Sequence, residues 1–109
     1  MLLNLNLGCG REKLAGYVNI DVDPSVQPDR VRDLCRGLPF GDCTVERVRA
    51  SHVLEHIAND ADFFFVIYEV WRVLVPGGVF EIMVPPYDFE GAFSDPTHHR
   101  YFTPRTFEI

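Results

Sequence analysis

Apolar residues at positions 2, 3, 5 and 7 flank Asn4 and Asn6 and run into Gly8-Cys9-Gly10. A short apolar stretch closed by a glycine pair predicts a buried strand entering a tight loop. A second stretch, Tyr17-Val18-Asn19-Ile20, ends at Asp21 and predicts the next strand over 17–21. The segment between them, 11–16, is too short for more than a turn or two of helix. Asp23-Pro24 breaks the chain, 25–29 reads as loop, and Arg30 to Asp33 reads as a third short strand. Leu38-Pro39-Phe40-Gly41-Asp42 predicts a turn, and Val45 to Ser51 a fourth strand with Val48 and Ala50 inward.

The clearest helical period lies between Asn59 and Val75. Asn59 is a good N-cap, and Asp60 and Asp62 in the first turn complement the helix dipole. Phe64, Ile67, Trp71 and Leu74 recur at helical spacing and are expected to face the sheet. Asp62, Glu69 and Arg72 are assigned to the opposite face, with Glu69 and Arg72 close enough to pair. Phe63, Phe65 and Val66 make the helix apolar on more than one side. Pro76-Gly77-Gly78 predicts its stop, and Val79 to Val84 a fifth strand closed by Pro85-Pro86. Residues 85–104 are rich in Pro, Asp, His and aromatics without a clear period, which reads as a functional loop. It follows the carboxyl end of strand five and is placed to cover a site there. Thr103-Pro104 is an N-cap and N1 pair, so a helix is expected to begin there.

Such an alternation predicts an α/β open sheet, in which ligands bind beyond the carboxyl ends of the strands. A glycine loop after strand one and a carboxylate after strand two suit a nucleoside. The glycines let the backbone approach, and Asp21 accepts hydrogen bonds from a ribose diol. A dinucleotide fingerprint does not fit. Lys13 stands where the third glycine of G-x-G-x-x-G belongs, and Asp21 follows Gly10 by eleven residues rather than about 20. No G-x-x-x-x-G-K-[ST] loop for a triphosphate is present.

The 109 residues, 47% hydrophobic and 13% aromatic, are expected to form one globular domain, 1–109. A net charge of −6 disfavours nucleic acid and anionic lipid as partners. Three cysteines, Cys9, Cys35 and Cys43, are odd in number and lack C-x-x-C spacing, which fits a reducing compartment. No apolar run approaches 18 residues, and the first residues lack a basic signal-peptide region. The expected location is cytoplasmic.

Leu5-Asn6-Leu7-Gly8-Cys9-Gly10 resembles motif I of class I S-adenosylmethionine (SAM) dependent methyltransferases, usually written L-D-L-G-C-G-T-G. Asn6 replaces the usual Asp, and Glu12 sits where a further glycine is common. Other segments resemble a small, type 11-like group of the family. Leu38-Pro39-Phe40-Gly41-Asp42 is similar to its L-P-F-x-D, Ala50 to His56 to A-S-H-V-L-E-H, and Val73 to Gly78 to R-V-L-K-P-G-G. Asp95 to Thr103 is similar to D-P-x-H-x-x-x-F-T. The resemblance implies a Rossmann-like, mostly parallel sheet of order 3-2-1-4-5. It implies cofactor contacts from Asn6, Gly8, Cys9, Gly10, Asp21, Asp33, Leu34, Ser51 and His52. Asp21 would meet the ribose, and Asp33 and the Leu34 N–H the adenine. Ser51 and His52 would lie at the methionine end. The implied activity is methyl transfer to a small-molecule acceptor, the alternative being a non-catalytic SAM-binding module or partner subunit. If a general base exists, His98, His99 or His52 is the candidate, because imidazole titrates near working pH.

His52-x-x-Glu55-His56 also matches an inverted zinc-protease pattern. That pattern is five residues long, and the only histidines downstream to complete a zinc site are His98 and His99. No metal is expected, and Glu55 and His56 are read as satisfying one another or a helix end. The family usually adds two C-terminal strands as a hairpin beside strand five, and this chain ends before either. It is therefore read either as a fragment of a longer protein, or as a chain whose 79–84 edge is covered by a second copy or a partner.

Overall fold

The computed structural model describes residues 1–84 and 98–100. Five strands make one sheet: β1 (Leu3–Leu7), β2 (Val18–Asp21), β3 (Arg30–Val31), β4 (Val45–Ser51) and β5 (Leu74–Met83). Their order is β3-β2-β1-β4-β5, and every neighbouring pair is parallel. This is the expected Rossmann-like open sheet. One α-helix among the described residues, α1 (Asp60–Val73), joins β4 to β5, and single 3-10 turns occupy 24–26, 34–36 and 54–56. The helix expected from Thr103-Pro104 lies outside the described residues, as does the loop expected over 85–104 apart from 98–100.

The pleat explains the two faces. Leu5, Leu7, Ile20, Val45, Val48 and Ala50 are buried on one face, packed with Val70 and Val73 of α1. Phe63 and Val66 continue the seam with Leu54 and, from β5, Phe80 and Ile82. On the other face the alternate positions are polar. Asn6 is opposite Asn19 on one side and Arg49 on the other, and Arg49 is opposite Glu81, with Nη1 and Oε1 2.9 Å apart. α1 packs on the apolar face because only that face has apolar area to remove from water.

Four expectations about elements are corrected. First, the buried stripe of α1 is Phe63, Val66, Val70 and Val73, whereas Phe64 and Trp71 are 68% and 71% exposed. Both stripes have helical spacing, so the period alone cannot select between them. Second, Glu69 is buried rather than on a solvent face. The expected pair with Arg72 does form, with Nε and Oε2 2.6 Å apart, and Glu69 Oε1 also accepts the Leu38 N–H at 2.8 Å. Arg72 donates in addition to the carbonyls of Leu38 and Phe40 and to Asp42, so the pair fastens the 38–42 turn to the helix. Third, α1 ends at Val73, and β5 begins at once and runs through Pro76-Gly77-Gly78. Between Val45↔Leu74 and Arg47↔Val79, β4 advances two residues while β5 advances five, so the Pro-Gly-Gly segment is a bulge in the strand. Gly77 has φ +81, and a Cβ on Gly78 would lie 2.9 Å from the Val75 carbonyl oxygen. β3 is also shorter than expected, because Asp33 belongs to the next turn as its cap. Among the described residues no helix is long and apolar enough to cross a membrane.

Candidate functional site

A cleft of about 490 Å³ opens beyond the carboxyl ends of β1 and β2 and the turn after β3. Gly8, Asp21, Asp33 and Leu34 line it, together with Val53, His56, Asn59 and Asp62 from the segment after β4 and the start of α1. Gly8 has φ +60, and a Cβ there would come within 2.5 Å of Val53 Cγ2. Only glycine lets β1 turn this tightly against the segment after β4. Asp21 is held by two backbone donors, with Oδ2 accepting from the Gly10 N–H at 2.8 Å and Oδ1 from the Asp23 N–H at 2.9 Å. Each carboxylate oxygen has a second lone pair, so a fixed Asp21 keeps acceptor capacity for a ligand hydroxyl. Asp33 caps the turn that Leu34 begins, its Oδ1 accepting the Cys35 N–H at 3.0 Å.

Five other residues singled out from the sequence lie off the cleft wall: Asn6, Cys9, Gly10, Ser51 and His52. The pleat sends Asn6 to the polar face, where Nδ2 donates to Asn19 Oδ1 at 3.0 Å and to the Glu12 carbonyl at 2.9 Å. Asn19 in turn bonds the N–H and carbonyl of Leu14 and the carboxylate of Asp29. This buried amide network, unread in the sequence, holds the 8–17 loop against the sheet. The Cys9 thiol is buried, and burial followed by the nearby Asp21 charge pushes its pKa up. Gly10 acts through its N–H on Asp21. Ser51 Oγ meets Met83 Sδ at 3.8 Å. His52 has φ +57, rare for a residue with a Cβ. Its N–H is tied to the Met83 carbonyl at 2.7 Å, and its side chain is 66% exposed.

A cluster of imidazoles around Glu55 adjoins the cleft. The 54–56 turn is 3-10 and His52 precedes it, so His52 and His56 do not share a helix face as the H-x-x-E-H pattern supposed. His56 instead lies against His98, with ring centroids 4.7 Å apart and planes near perpendicular. Residues 98–100 reach this place through the backbone: the N–H groups of His99 and Arg100 donate to the Glu55 carbonyl at 2.7 and 3.0 Å. Arg100 then stacks over Phe63 at 4.3 Å and pairs with Asp60 at 2.7 Å. Of the three candidate bases, His98 is enclosed, its side chain 11% exposed, while His99 and His52 are exposed. The Glu55 carboxylate is fully buried, and neither oxygen accepts a hydrogen bond among the described residues. The reading of Glu55 as satisfied by His56 or a helix end is therefore not met. Its burial, and the place of His56 on the cleft wall, carry no local sequence signal.

No protein-family model matches the chain, and no curated protein does. Among solved structures it is similar to a SAM-dependent methyltransferase from Archaeoglobus fulgidus, with a TM-score of 0.79 and 20% identity over 96% of this chain. The chain spans 56% of the length of that structure. At this identity the likeness is one of fold, and the chain folds as a Rossmann-like open sheet of the methyltransferase type.

Proposed function

We propose that the chain binds SAM in the cleft beyond β1 and β2 and serves methyl transfer to a small-molecule acceptor. The observation that carries this is the gathering of Gly8, Asp21, Asp33 and Leu34 around one cleft. Gly8 lets β1 turn tightly against Val53 at the edge of the cleft, Asp21 offers an oriented acceptor for a ribose diol, and Asp33 with the Leu34 N–H an edge for adenine. The methyltransferase of similar fold supports the same reading. Asn6, Cys9 and Gly10 act behind the wall, Asn6 by holding the 8–17 loop and Gly10 by orienting Asp21. Ser51 and His52 belong to the methionine end in this reading. SAM brings an activated methyl group when bound. The protein's share is to hold an acceptor in line with that group and exclude water. A base is optional, with His98, His99 and His52 as candidates. The second reading, a SAM-binding module without catalysis, is favoured by the position of all three off the cleft wall. The acidic net charge of −6 argues against a nucleic-acid acceptor, and a cytoplasmic location suits its free cysteines.

Titration calorimetry with SAM tests the site. Asp21→Ala should weaken binding by about 1.5–3 kcal/mol for each hydrogen bond lost to the charged acceptor, and Gly8→Val should abolish it. Affinity unchanged in both variants would refute the assignment.

A further inference from the structure

Glu55 is fully buried at the turn after β4, and neither carboxylate oxygen receives a hydrogen bond from the described residues. A buried carboxylate is costly unless a cation meets it. The guanidinium of Arg100 is turned to the Ile57 carbonyl, Asp60 and the Phe63 ring instead. Imidazoles face the Glu55 carboxylate. His52 Nδ1 is 3.5 Å from Glu55 Oε2, and His98 Nε2 is 4.0 Å from the same oxygen. One oxygen of Glu55, one ring nitrogen of His56 and one of His98 all lie within 4.8 Å of one another.

We propose that Glu55, His56 and His98 form a site for a divalent transition-metal ion of the zinc and cobalt class. Two imidazoles and one carboxylate suit these ions, whereas magnesium and calcium prefer oxygen donors throughout. Metal bonds of about 2.0–2.2 Å place tetrahedral donors about 3.4 Å apart. Small rotations of two rings and a carboxyl close the difference. Three protein donors leave one position open, and His56, exposed on the cleft wall, sets that position toward the cleft. The ion would neutralise Glu55 and join the 98–100 segment to the 54–56 turn, where the Glu55 carbonyl already accepts two backbone N–H groups. Nothing in this inference depends on the SAM reading.

The test uses the untagged 109-residue chain, stripped with a chelator and titrated with zinc sulfate by calorimetry, then with cobalt(II) by visible absorption. The expected result is one ion per chain, tetrahedral cobalt bands and a higher melting temperature with zinc. Glu55→Gln and His98→Ala should each weaken binding by about tenfold or more, since a lost ligand costs at least what a lost outer partner does. His99→Ala should leave it unchanged. Should Glu55→Gln not fold, as judged by circular dichroism, His98→Ala against His99→Ala carries the same readout. Absence of stoichiometric uptake by the wild-type chain, or an equal loss in the His98 and His99 variants, would overturn the site.

Discussion

At the scale of single residues, two left-handed glycines in one loop have different reasons to be glycine. A Cβ on Gly8 would meet Val53 at 2.5 Å, whereas nothing lies within 4 Å of a Cβ on Gly10, whose φ is +52. Left-handed backbone alone costs a residue with a side chain about 1–2 kcal/mol. Gly10→Ala should lose only that amount. Gly8→Ala should lose more, and a double-mutant cycle with Val53→Ala should return a favourable coupling as the methyl groups cease to collide. Urea unfolding of the four Gly8 and Val53 combinations measures it. Equal costs at Gly8 and Gly10 would show that the loop moves aside freely.

At the scale of elements, the 38–42 turn is joined to α1 through Glu69 and Arg72. The Arg72 hydrogen bond holds the Glu69 carboxyl below its ordinary value of 4.5, helped by the Leu38 N–H and opposed by burial. The ionised carboxylate is thus favoured by folding. Its contribution is fully present above about pH 4.5 and is lost as pH falls through the lower folded value. Wild type should therefore lose more stability than Glu69→Gln between pH 5 and pH 3. Arg72→Ala should cost about 2–3 kcal/mol at pH 7, because it leaves a buried carboxylate without its main donor. Parallel acid-unfolding curves for wild type and Glu69→Gln would remove this account.

At the scale of the whole molecule, β5 is an edge of the sheet among the described residues, and Val79 on it is 42% exposed. The outer stripe of α1 adds Phe64, Tyr68 and Trp71, all more than half exposed. An edge strand beside apolar surface invites another chain. We expect the 109-residue chain to self-associate, and Val79→Lys to shift it toward monomer by placing a charge at the edge. Sedimentation over a range of concentrations checks this. A wild-type chain that stays monomeric throughout would leave the edge without the proposed second copy.

Local chemistry was legible wherever one residue type settles one backbone need. Gly8 before a left-handed turn, Asn59 capping α1 through the Asp62 N–H, and Val48 and Ala50 inward on β4 all follow from near neighbours. The strand order came with the family resemblance. The alternation of Asn4 and Asn6 with Leu5 and Leu7 already held the reason that Asn6 leaves the cleft for the polar face. Other decisions had no local cause. A helix apolar on two stripes has a period but no phase, so contact with the sheet selected Phe63, Val66, Val70 and Val73. Pro76-Gly77-Gly78 reads as a helix stop on its own, yet pairing with β4 carries the strand through it. Glu55 and His98 meet because the 98–100 backbone bonds the Glu55 carbonyl. Spacing along a chain sets angles around an element, and only the packing of elements against one another sets which side chains are enclosed together.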